Sequence, residues 1–323
     1  MLTAVGFILL GLLLLVLGGE LMLRGAVGLA TWLRLTPAVI GLTVVAAGTS
    51  IPELAVSGLA AVRGNVDLAV ANVVGSNIFN VTVIVGLCAL LRPVVIQGNT
   101  IRLEYPVLAL ATSVCVIFMQ DESINRFEAI VLLVGYVAFT AFMLRVVRRQ
   151  VTKVEERELA EEVEELTPLA AHPRAWLSLL LVAAGCVLLG LGAHATVVGA
   201  VDIARILGMS EHVIGATIVA AGTGLPEVVA SLISSIRGRS DVALGNALGS
   251  NLFNTLVILG ISAAVRPLPV QADLIQSDCW WMLGVTLILF PVMASGLRVS
   301  RWEGLVLLAI YVGYLWFLLN PTI

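Results

Sequence analysis

Residues 48–93 recur within the chain. Moved forward by 174 positions, they align with residues 222–267 without a gap, and 21 of the 46 pairs are identical. Shared apolar composition would match aliphatic residues, but here polar ones match too. GTSIPE (48–53) meets GTGLPE (222–227), and GSNIFN (75–80) meets GSNLFN (249–254). Such a chain is built as two related halves. Its solvent follows from composition. Hydrophobic residues make up 59% and charged residues 12%, with a mean hydropathy of +1.06. Soluble domains carry about 25% charged residues, so this much apolar side chain points to lipid.

A bilayer-spanning helix needs roughly 20 mostly apolar residues. Ten stretches qualify, near 4–31, 38–61, 67–91, 104–119, 127–146, 175–201, 212–235, 241–265, 279–297 and 303–319. The short alternating strands of a lipid-facing barrel are missing. The expected fold class is an all-α integral membrane protein of ten transmembrane helices, arranged as two inverted five-helix repeats. Residues 1–147 form the first repeat and 175–323 the second. Between them lies a polar linker loop, 148–174, expected on the cytoplasmic side. Its glutamates read as a solvated charge run. It has no glycine and none of the spaced oxygens of a calcium loop. The amino terminus lacks a basic leader and reads as the first span, not a cleaved signal. The four cysteines lie singly, with no ligand spacing.

Five crossings per half invert the second copy, the plan of many secondary transporters, whose substrates bind near the midplane where the repeats meet. With the amino terminus outside, thirteen basic residues fall in or beside inward loops and four outside. This bias sets cytoplasmic loops and puts both termini outside, in a multi-pass membrane protein.

Glu53 and Glu227 fall deep inside apolar segments. An acidic residue there costs about 2.5–3.5 kcal/mol on insertion scales. Each follows a proline that lacks an amide hydrogen and disturbs the preceding turn, so helices 2 and 7 should break. Carbonyls near Ala46, Thr49, Ala220 and Thr223 should lose helical partners, which lipid tolerates only where protein, water or an ion replaces them. Thr49 and Glu53 lie four apart on one helix face, as do Ser76 with Asn80 and Ser250 with Asn254. Small polar residues also serve helix packing in membranes. Together these oxygens suit a hard cation such as calcium or sodium. Two carboxylates balance one calcium or two sodium ions, which is the charge logic of an exchanger.

These motifs resemble the two α-repeats of the calcium/cation antiporter superfamily, and within it the prokaryotic sodium/calcium exchangers. The resemblance covers essentially the whole chain. It implies a secondary antiporter exchanging calcium for sodium by alternating access at a midplane site. It also implies that Glu53 and Glu227 bind calcium with help from the carbonyls of Thr49 and Thr223. Flanking sodium positions would use Ser50, the carbonyls of Ala46 and Ala220, and Ser76 and Ser250. Asn80 and Asn254 would line the centre. The implied partners are the transported calcium and sodium ions and the bilayer. No prosthetic group, catalytic residue or nucleic-acid partner is expected. The chain departs from the pattern at Gly224, where serine is common, and at Asn254, where aspartate is common. Both leave the sodium count open, and proton- or potassium-coupled exchange stands as the alternative.

Overall fold

The computed structural model describes residues 1–33, 35–63, 66–96, 100–147, 175–209 and 220–319. The helices in chain order are α1 (Leu2–Leu33), α2 (Pro37–Thr49), α3 (Ile51–Arg63), α4 (Leu68–Leu91), α5 (Thr100–Met119), α6 (Arg126–Arg145), α7 (Ala175–Ile206), α8 (Ala220–Thr223), α9 (Leu225–Ile236), α10 (Ser240–Val265), α11 (Leu274–Ala294) and α12 (Arg301–Leu318). Among the described residues, eight are long and apolar enough to cross a bilayer, and the bent pair α2–α3 makes a ninth. The short helices α8 and α9 stand where the seventh span is expected. The start of that span and the 148–174 linker lie outside the described residues.

The break in the second helix comes from its sequence. α2 and α3 meet at 48°. Pro52 offers no amide to the Gly48 carbonyl. Helical bonding also lapses at the Thr49 carbonyl and resumes where the Leu54 amide donates to the Ser50 carbonyl at 3.0 Å. One expectation needs correcting here. The Ala46 carbonyl keeps a partner, because the Ser50 amide still reaches it at 3.0 Å. The interruption starts one residue later than the motif suggested. In the second half α8 stops at Thr223 and α9 starts at Leu225, with Gly224 at the break.

Two spans begin earlier than hydropathy implied. α5 and α11 open with π-helical turns, Thr100–Glu104 and Leu274–Asp278, that draw a carboxylate into each helix. A charge lowers hydropathy, but a bonded charge can be buried. Asp278 accepts a hydrogen bond from the Tyr314 hydroxyl at 2.8 Å. α11 also ends sooner, at Ala294, followed by Gly296 in the left-handed region (φ 73°).

The halves are tied by two small antiparallel ribbons. Val94–Val95 (β1) pairs with Arg298–Val299 (β4), and Ser123–Ile124 (β2) pairs with Leu268–Pro269 (β3). Adding 174 to β1 gives β3, and adding it to β2 gives 297–298, one residue ahead of β4. The ribbons therefore repeat each other to within one residue of register, and each joins a loop of one half to a loop of the other.

α1 and α7 pack through glycines. A Cβ on Gly18 would sit 2.8 Å from the Leu189 amide nitrogen, one on Gly185 2.7 Å from that of Met22, and one on Gly192 2.8 Å from the Gly11 carbonyl oxygen. Gly11, Gly18 and Gly25 recur every seven residues, as do Gly185, Gly192 and Gly199. Seven residues are about two helical turns, so each set forms one stripe. Gly25 meets Ser178 while Gly199 meets Ala4, so the two helices run antiparallel. Lipid gives no hydrophobic drive between helices, and close backbone approach supplies van der Waals contact instead. α2 crosses α10 in the same manner. A Cβ on Gly245 would lie 2.4 Å from the Ala38 carbonyl oxygen, and one on Gly249 2.2 Å from that of Leu42. α10 is the most enclosed span, and it carries the second GSNxFN motif into the centre of the molecule.

Candidate ion site between the halves

Pro52 and Pro226 are the second residues of the helices that follow the breaks, so each motif glutamate occupies a first turn. The amino end of a helix favours negative charge. Glu53 is 3% exposed and Glu227 is 2% exposed, and the two carboxylates lie within electrostatic reach of each other. Each leaves one oxygen, Oε2, buried without a hydrogen-bond partner. A buried unpaired polar atom costs about 1–3 kcal/mol, more for a charged group. Two such atoms on carboxylates within electrostatic reach of each other describe a place that a cation would stabilise.

The first motif reaches across to the second half. The Ser50 hydroxyl donates to Glu227 Oε1 at 3.1 Å. The Thr49 hydroxyl lies 3.2 Å from Asn246 Oδ1 and 3.3 Å from the Ala46 carbonyl, either of which can take its one hydrogen. Asn246 in turn donates to the Ser231 hydroxyl at 2.9 Å and to the Glu227 carbonyl at 3.4 Å. The Ala46 carbonyl already faces an amide and a hydroxyl, so less of it is free than of the Thr49 carbonyl. Thr223 is half-buried beside the second break, and Ala220 opens α8.

The GSNxFN motifs meet face to face. Asn80 Nδ2 donates to Asn251 Oδ1 at 3.0 Å, and Asn254 Nδ2 donates to Asn77 Oδ1 at 3.2 Å. Each bond is the repeat image of the other. Asn77 also donates to the Thr255 hydroxyl at 2.8 Å, and Asn251 to the Asn77 carbonyl at 3.0 Å. Asn80 and Asn254 start or join π-helical turns, Asn80–Ile84 and Phe253–Ile258. Such turns are common at functional sites because they shift side chains off the regular helical face. Ser250 is fully buried with an unpartnered hydroxyl, as is Asn254 Oδ1. Ser76 is only partly buried.

The structure thus gathers Thr49, Ser50, Glu227 and, through electrostatic reach, Glu53 into one cluster, and Asn80 and Asn254 into a cross-half network. It adds residues that motif reading passed over. Asn77 and Asn251 carry the cross-half bonds. Asn72 with Ser57 (2.9 Å) repeats Asn246 with Ser231. All of these are identical pairs in the internal alignment, and that identity was the available signal. The motif glycines lie against α7: a Cβ on Gly48 would come 2.4 Å from Cys186 Sγ, and one on Gly222 2.1 Å from Val197 Cγ2.

Comparison with known proteins identifies the family. The sodium/calcium exchanger protein family model matches residues 3–145 and 177–320. The putative antiporter CaxA of Alkalimonas amylolytica is 39% identical over 99% of this chain and 100% of its own. The sodium/calcium exchanger MaX1 of Methanosarcina acetivorans is 30% identical over 95% and 96%. Among solved structures, the sodium-calcium exchanger NCX_Mj soaked with zero Na+ and Ca2+ superposes with a TM-score of 0.82 at 28% identity, covering 96% of this chain and 97% of that one. Its all-helical membrane architecture is shared here, and the named relatives are transporters, not enzymes. The chain belongs to the sodium/calcium exchanger protein family.

Proposed function

We propose that this protein is a secondary antiporter that exchanges calcium for sodium by alternating access at a site between the two halves. The observation that carries the reading is the Glu53–Glu227 pair, buried together with one unpartnered oxygen each. The proposed ligands are those carboxylates, the carbonyls of Thr49 and Thr223, and Ser50, with Ala46, Ala220, Ser76, Ser250, Asn80 and Asn254 around them. Calcium takes 6–8 oxygens, so both halves must contribute.

Exchange follows from charge. Two adjacent anions in a low-dielectric interior repel each other and lose hydration. Such a site resists reorientation while bare. One calcium or two sodium ions cancel the two charges and let the carrier turn over, so each direction needs a passenger. The moving part in this reading is the α1–α7 pair. It presents glycine and backbone to its own seam and touches both motif glycines, so a sliding α7 would be felt at both breaks. The chain is multi-pass in the membrane, with residues 1–147 and 175–323 as the two halves. Both termini lie outside, and the 148–174 loop lies on the cytoplasmic side of a prokaryotic inner membrane.

The deciding experiment is calcium-45 uptake into proteoliposomes under separate sodium, potassium and proton gradients. Uptake driven by outward sodium is expected. Uptake driven by the proton or potassium gradient and indifferent to sodium would replace the coupling ion and keep the site.

A further inference from the structure

Position 50 and position 224 are repeat partners with the same backbone. Ser50 has φ −84°, ψ 9° and Gly224 has φ −82°, ψ 0°. Both values lie in a region open to residues with side chains, so conformation does not demand glycine at 224. Space does. A Cβ on Gly224 would lie 3.2 Å from Phe79 Cε1 and 3.5 Å from Cδ1, and no other ring atom comes within 4.0 Å. The ring therefore meets Gly224 with its edge. Phe79 is held there by an edge-on contact with Tyr311, the centroids 5.6 Å apart at 75°.

The chemical consequence differs between the halves. On one side a hydroxyl, Ser50, bonds the carboxylate of the opposite half. On the other side, position 224 has no oxygen to offer Glu53, and a ring edge stands in its place. Aromatic edges carry partial positive charge, and a cation is attracted only to the ring face. We infer that the Phe79 edge over Gly224 closes the cation position on that side, so that the exchanger carries two sodium ions per calcium and moves no net charge. This deepens the proposed sodium/calcium exchange and rests on it.

The test measures sodium-22 and calcium-45 fluxes in the same proteoliposomes, with membrane potential clamped by potassium and valinomycin. The unmodified protein should give a flux ratio near two, and the final calcium gradient should not change with potential. If one net charge moved per cycle, 100 mV would shift that gradient about fifty-fold. The double variant Phe79→Leu with Gly224→Ser should raise the ratio towards three and make the gradient respond to potential. A ratio of three or a fifty-fold potential response in the unmodified protein would overturn the inference. So would a folded double variant that stays at two and ignores potential. If the double variant does not fold, the unmodified protein still decides. Absence of any sodium-driven calcium flux would be a different result: it would remove the exchange reading itself.

Discussion

Asn72 bonds Ser57 in the first half as Asn246 bonds Ser231 in the second, both at 2.9 Å. The crossed pairs Asn80–Asn251 and Asn254–Asn77 repeat each other in the same way. Yet Ser50 has no hydroxyl counterpart, and Glu20 on α1 has none among acids. Glu20 accepts from Arg24 at 3.0 Å and from Arg237, just past the end of α9, at 3.1 Å. Its repeat partner on α7 is His194, and that of Arg237 is Arg63. Amides that hold the two halves together obey the repeat. The 50/224 position beside the carboxylates and the Glu20 contacts do not, although Glu53 and Glu227 themselves are repeat partners. Symmetry holds for the amides and both carboxylates and fails at single positions beside them.

The carboxylates give the hardest test of that equivalence. Glu53→Gln and Glu227→Gln should each abolish calcium transport while the purified protein keeps its helical circular dichroism. Loss from one but not the other would show that only one half supplies the site.

The glycine seam comes next. Gly18 and Gly192 are repeat partners and face backbone at 2.8 Å. Gly18→Val and Gly192→Val should destabilise alike, at or above the upper end of the about 1–3 kcal/mol typical of overpacking. Thermal midpoints in detergent would read this, and a difference of many degrees between the two would break the symmetry of the seam. Cysteines placed along α1 should also label differently in sodium and in calcium, and identical labelling would argue that α1 does not move.

The crossed amides should cost less. Asn77→Ala and Asn251→Ala each strand a buried partner, worth about 1–2 kcal/mol. Asn77 serves more bonds, so it should lose more. Equal midpoints for the two variants would say that the Thr255 contact contributes nothing.

The smallest effect concerns the ion pair that has no image. The Arg237 side chain is half-exposed, and such pairs are worth about 0–1 kcal/mol. Glu20→Gln should change the labelling of cysteines at the α9 end of α1 by about two- to fivefold, converting that energy to populations. No change at low salt would make the pair ornamental.

Much of this was legible in the chain. The repeat, the depth of both glutamates and the break at each proline follow from period, hydropathy and the missing proline amide. The pairing of Glu20 with Arg24 follows from their spacing. Other features depend on what lies opposite. Gly224 reads as a lost hydroxyl in sequence, but only packing shows the Phe79 edge filling its place. The Ala46 carbonyl was expected to be freed and is not, because the break falls between Thr49 and Ile51. The early starts of α5 and α11 hide behind Glu104 and Asp278, whose charges mask helices that tertiary contacts complete.

The glycine seam also has a consequence for how the protein is made. Its two strips belong to α1, which ends at Leu33, and α7, which begins at Ala175. Chains grow at about 5–20 residues per second, so α1 waits on the order of ten seconds before its mate leaves the ribosome. During that interval its glycine stripe faces lipid tails, which ask nothing of it, and Glu20 has only Arg24 for company. A bulkier stripe would insert at least as readily and would still ruin the protein, because the fault would appear only when α7 arrived to dock. Defects in this seam should therefore show as full-length, membrane-inserted chains that fail late and are degraded, not as chains that never enter the bilayer.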